Sequence, residues 1–88
     1  MHAVIVRSTL NDFERARTYL REEVVPRVSQ APGLVGAYWV RAEASQGTSM
    51  LVFESEEAAR AMADQINQVP GDFVTLNSVE VGEVVEHA

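Results

Sequence analysis

Two short segments of this chain, Ala3-Val4-Ile5-Val6 and Met50-Leu51-Val52-Phe53, are apolar at every position rather than at alternate ones. Successive side chains of an extended strand point to opposite faces. Val4 and Val6 therefore point one way and Ala3 and Ile5 the other; Leu51 and Phe53 oppose Met50 and Val52 in the same manner. An antiparallel sheet covered on one side alone reads as apolar and polar in alternation. These segments do not, so both faces of the sheet need cover.

The remaining pattern shows how much cover the chain supplies itself. After a strand over residues 3–7, Asn11 is placed to cap a helix, with Glu14 completing a capping-box pair and Asp12 favourable to the dipole. Phe13, Ala16, Leu20, Val24 and Val28 then recur at helical spacing. Pro26 lacks an amide hydrogen and crowds the carbonyl of Glu22, so a kink or restart is expected there, and Pro32-Gly33 ends the helix. A second strand runs from Leu34 to Val40, a polar connection from Arg41 to Gly47, and a third strand from Met50 to Phe53. Ser55 caps a second helix, with Glu56 and Glu57 in its first turn and Ala58, Met62, Ile66 and Val69 as its buried stripe, up to Pro70-Gly71. A last strand is expected over residues 79–85, with a bulge at Gly82, and Phe73 to Leu76 as a short strand or packed loop.

This order, β-α-β-β-α-β, predicts one α+β domain over residues 1–88, a ferredoxin-like antiparallel four-stranded sheet with both helices on one face. The helices cover only that face. Phe53 is expected on the other, which would expose more apolar surface than a monomer tolerates. A second copy of the chain is the simplest cover, and a homodimer is expected.

Length agrees. A domain of 88 residues buries too little surface for comfort, and with no cysteine it has neither disulfides nor thiolate metal sites to help it. The first residues lack the basic and long apolar stretches of a signal peptide, and no apolar run is long enough for a membrane helix, so a cytoplasmic protein with no membrane contact is expected. Thirteen acids face seven bases, for a net charge of -6. That balance disfavours nucleic acid, and Arg15, Arg17, Arg21 and Arg27, interleaved with Glu14, Glu22 and Glu23, read as a solvated helix face.

Two stretches carry a family likeness: Val25-Pro26-Arg27 through Pro32-Gly33-Leu34-Val35-Gly36, and Val52-Phe53-Glu54-Ser55-Glu56-Glu57-Ala58. There the chain resembles the dimeric α/β-barrel superfamily, most closely its antibiotic-biosynthesis-monooxygenase-like domains. The resemblance spans nearly the whole chain in order of elements. It implies a dimeric α/β barrel with a ligand cavity between each sheet and its own helices or along the barrel interior. Its members include oxygenases, haem degraders, isomerases and proteins without known activity, so the fold alone does not choose among them.

The haem-degrading branch implies an Asn on the first strand, a Trp ending the third and a His beyond the second helix. Val6 and Phe53 stand at the first two positions, and the only histidines are His2 and His87. All three depart from the pattern, and no cofactor is expected; His2, beside Met1, reads as exposed. The cofactor-independent oxygenase branch implies an apolar pocket for an aromatic or polyketide-like substrate. Val4, Val6, Tyr38, Trp39 and Phe53 are the expected ligand-lining residues, with Arg7, Arg41 or Asn77 as polar neighbours, unless Trp39 and Phe53 are simply core. No metal site is expected, because Glu56 and Glu57 serve a helix start and Glu54 stands alone. Two readings stay open: a monooxygenase-like enzyme, or a non-catalytic ligand-binding or stress-related dimer.

Overall fold

The computed structural model describes residues 1–67 and 71–88. The strands β1 (His2–Leu10), β2 (Leu34–Ala42), β3 (Gln46–Phe53) and β4 (Val74–Glu83) form one antiparallel sheet in the order β2-β3-β1-β4. The helical segments α1 (Phe13–Tyr19), α2 (Val25–Ser29) and α3 (Glu56–Ile66) complete the β-α-β-β-α-β plan.

The first helical segment shows what Pro26 does. Between α1 and α2 lies a π-helical turn, Leu20–Val24, in which the Val25 N–H reaches back five residues to the Leu20 carbonyl. Such a widened turn lets the chain run into a residue that cannot donate, and Pro26 then stands at the start of α2, where no donor is needed. The cap is Asp12 rather than Asn11. The Asp12 carboxylate accepts from the Arg15 N–H at 3.2 Å, while the Asn11 amide donates to the Asp72 carbonyl and to Thr75 Oγ1. Gly33, at φ 79, turns the chain from α2 into β2, a conformation that glycine adopts without steric cost.

Ser55 caps α3 as expected, accepting from the Ala58 N–H at 3.1 Å. Ala59, Met62 and Ala63 are the buried stripe of α3, with Ala58 and Ile66 packed beside them; Val69 and Pro70 lie outside the described residues. Small residues let α3 approach the sheet closely, and it packs directly on β1, β3 and β4. Val4, Leu51 and Phe53 lie beneath it as the most buried large side chains. Phe53 is thus on the helix face, not the opposite one: its register partner in β1 is His2, and it alternates with the outward Val52.

Two further expectations are corrected. The last strand is continuous over Val74–Glu83, and its irregularity is at Asn77, which is extra between the pairs Arg7–Ser78 and Ser8–Leu76. Gly82 pairs in register with Ala3 and makes no bulge. His2 is half-buried, and its Nδ1 is enclosed without a hydrogen-bond partner among the described residues, because β1 begins at His2 and carries it into the sheet.

The face away from the helices is divided. Toward β2 it carries Tyr38, Val40, Met50, Val52 and Ile5; Tyr38 is 71% exposed, Val40 55% and Met50 45%. Toward β4 it turns polar, with Arg7 and Glu80 4.0 Å apart and the Asn77 amide donating to Thr9 Oγ1.

Candidate ligand-binding site

Where α3 lies close on the sheet, the first helical segment stands off from it. Phe13, Leu20, Val24 and Val28 point inward from that segment but do not fill the gap. The result is a cavity of about 370 Å³ between the segment and the sheet. Val6, Leu51, Leu76 and Trp39 form its floor, and Ala16, Leu20, Val24 and Val28 form its roof. Trp39 faces inward because register sets it opposite Ser49, on the same side as Ala37 and Leu51. Tyr38 consequently points to the open face, opposite Met50.

Polar residues of the lining are Ser8, Thr48 and Ser49 from the sheet and Arg17, Tyr19 and Arg41 nearer the cavity edge. Ser49, the one buried polar residue among those described, and Ser8 project from the floor; the Ser8 hydroxyl donates weakly to the Gly47 carbonyl at 3.4 Å. Arg17 and Arg41, both exposed, line the rim where the cavity meets solvent. The Arg41 guanidinium carbon lies 3.8 Å from the centre of the Phe13 ring, a cation–π contact between the end of β2 and the start of α1. No Asp, Glu or His is among the residues lining the cavity.

Of the residues expected to line a ligand site, Val6 and Trp39 line this cavity. Val4 and Phe53 share that side of the sheet but are buried in the core, and Tyr38 is on the other face. Arg41 also lines the cavity; Arg7 and Asn77 do not. Arg17 was hidden in a sequence that reads as mixed surface charge.

Other groupings carry less. A shallow groove of about 420 Å³ beside Glu14, Arg15, Tyr19, Glu22, Glu23 and Phe73 is open to solvent. Its Arg15 is already engaged, 3.3 Å from Asp72 and 5.2 Å from the Phe73 ring centre. Glu56 is held below the usual carboxylate range, first by its hydrogen bond from Arg60 and then by the charge of that residue, but it sits on the outer face of α3. Among the described residues, no three of His, Asp and Glu gather as metal ligands, and no helix is long and apolar enough to cross a membrane.

The sheet order, the register and the helices on one face define a ferredoxin-like α+β fold. Two solved structures share it. HapK from Hahella chejuensis matches with a TM-score of 0.69 and 13% identity, over 100% of this chain and 96% of its own. A variant of MhuD, solved with two manganese protoporphyrin IX bound per active site, matches with a TM-score of 0.65 and 18% identity, over 98% of this chain and 97% of its own. At such identities the likeness is one of fold. No family model matches the sequence, and no curated protein does.

Proposed function

We propose that this protein binds an aromatic or polyketide-like small molecule in the cavity under its first helical segment, and that it does so as a homodimer. The observation that carries this reading is the cavity itself: about 370 Å³, walled by Trp39, Phe13, Tyr19 and aliphatic side chains, with a few polar groups at its floor and rim. Ligand sites are apolar, concave and mostly preformed, and start at roughly 300 Å³. The dimer rests on the apolar half of the open face, where Tyr38, Val40 and Met50 stand exposed together. Such a patch is costly to leave in water, and a two-fold copy would cover it with its own equivalent.

A second reading, cofactor-independent oxygenation of the bound molecule, is favoured by the two guanidiniums at the rim, which would stabilise a phenolate reacting with oxygen. The wall holds no carboxylate or imidazole to take the phenol proton, so the substrate would have to arrive ionised or nearly so. A metalloporphyrin, as carried by the MhuD structure, finds neither an imidazole nor a thiol in this lining, which leaves the Tyr19 phenol as its one phenolic group.

The test is titration with uncharged N-phenylnaphthylamine, following the emission of Trp39, the only tryptophan. One saturable site per chain is expected, abolished by Ala16→Phe, which fills the cavity from its roof. Binding that survives Ala16→Phe would refute the site.

A further inference from the structure

We infer that the ligand of this cavity is an organic anion, an aromatic molecule with a carboxylate or ionised phenol, held at the rim by Arg41 with Arg17 beside it. The inference rests on the cavity being a ligand site and adds the chemical class of what enters it.

The sign of charge at the rim is opposite to that of the chain. The chain has thirteen acids and seven bases, all seven of them arginines. Arg7, Arg15 and Arg60 pair with Glu80, Asp72 and Glu56; of the four that pair with no carboxylate among the described residues, Arg21 and Arg27 lie outside the cavity. Arg17 and Arg41 line the cavity and make no salt bridge among the described residues, and no carboxylate shares the wall with them. An apolar cavity whose only charges are two unpaired cations is complementary to a molecule with an apolar body and an anionic end.

Arg41 is also held in place. Contact at 3.8 Å with the Phe13 ring fixes the guanidinium without using its N–H groups, since the ring offers a π-face and no acceptor oxygen. A guanidinium held this way keeps its donor fork for a carboxylate, which it binds in two parallel hydrogen bonds. Less side-chain freedom is then lost on binding than for a free surface arginine. Phe13 stands in the first turn of α1 and Arg41 at the end of β2, so the contact also ties the two walls of the opening together.

The experiment compares two dyes of nearly the same body, anionic anilinonaphthalene sulfonate and uncharged N-phenylnaphthylamine, on wild type, Arg41→Gln, Arg17→Gln and Arg21→Gln. Arg21 is exposed and outside the cavity, so its variant controls for net charge. Ala16→Phe subtracts dye bound elsewhere, and thermal melts confirm that each variant is folded. The sulfonate is expected to bind about tenfold more tightly than the amine. Arg41→Gln should remove most of that preference, Arg17→Gln part of it and Arg21→Gln none, the readout being the ratio of the two affinities in each variant. Equal affinity for the two dyes in wild type, or a preference that persists in both Arg41→Gln and Arg17→Gln, overturns the anion assignment while leaving the cavity as a ligand site. Failure of both dyes to bind in a manner sensitive to Ala16→Phe overturns the site itself, and the anion assignment with it.

Discussion

Phe53 and Tyr38 occupy opposite faces of one sheet: Phe53 is 1% exposed beneath α3, whereas Tyr38 is 71% exposed on the face with no helix. Both are large aromatics on strands, and they should therefore fail differently when truncated. Phe53→Ala removes a fully buried ring, which costs about 3–5 kcal/mol, and urea denaturation should show that loss at any protein concentration. Tyr38→Ala should leave the subunit core intact and weaken the proposed dimer, read as a shift toward monomer in sedimentation. A concentration-independent loss from Tyr38→Ala as large as that from Phe53→Ala would contradict this division of roles.

The Arg41–Phe13 contact predicts a modest, separable effect. Phe13→Leu keeps an apolar side chain at the rim but removes the π-face, and the stability lost should be about 0.5–1 kcal/mol. Arg41→Gln and the double variant should lose no more than Phe13→Leu alone, because each removes the same contact. Additive losses in a double-mutant cycle would show that the two residues do not interact.

Ser55 supplies a cap that no neighbouring group replaces in the structure. Ser55→Ala should destabilise the protein by about 1 kcal/mol, and Ser55→Asp should restore most of it. The readout is the urea midpoint; an unchanged midpoint in Ser55→Ala would mean that the Ala58 N–H finds another acceptor at once.

Glu56 gives the pH dependence its sign. Its carboxyl is held below the usual range in the folded protein by the hydrogen bond from Arg60. The pair's contribution is therefore complete above the ordinary carboxylate range and lost as pH falls through the lowered value. Both side chains are more than half exposed, so the contribution is small and screened by salt. Wild type and Arg60→Gln should differ slightly at neutral pH and converge on acidification. A difference that grows toward acid pH would reverse the sign.

Much of the fold can be read from the residues, and what cannot has local causes. Period and punctuation give the order of strands and helices, because the apolar runs are bounded by Pro32-Gly33 and by the Ser55 cap, but β2 and β3 extend into the expected connection, which shrinks to residues 43–45. Asn11 and Asp12 are both good caps, and only the tertiary bonds of Asn11 to Asp72 and Thr75 decide between them. The bulge at Asn77 shifts the alternation of β4 by one, so the strand reads as two pieces. Ala37 to Val40 has no alternation at all, and only its register with β3 turns Trp39 inward and Tyr38 outward. The site was less legible for the same reason. Val6, Trp39 and Arg41 could be named, but the placing of Arg17 and Arg41 on one cavity depends on how far the first helical segment stands from the sheet, which no local pattern records.

A crystal structure of the protein grown with N-phenylnaphthylamine tests the central claim most directly. The dye should lie between Trp39 and the Ala16–Val28 side of the first helical segment. Dye found instead against Tyr38 and Met50, with side chains collapsed into the space under that segment, would contradict it.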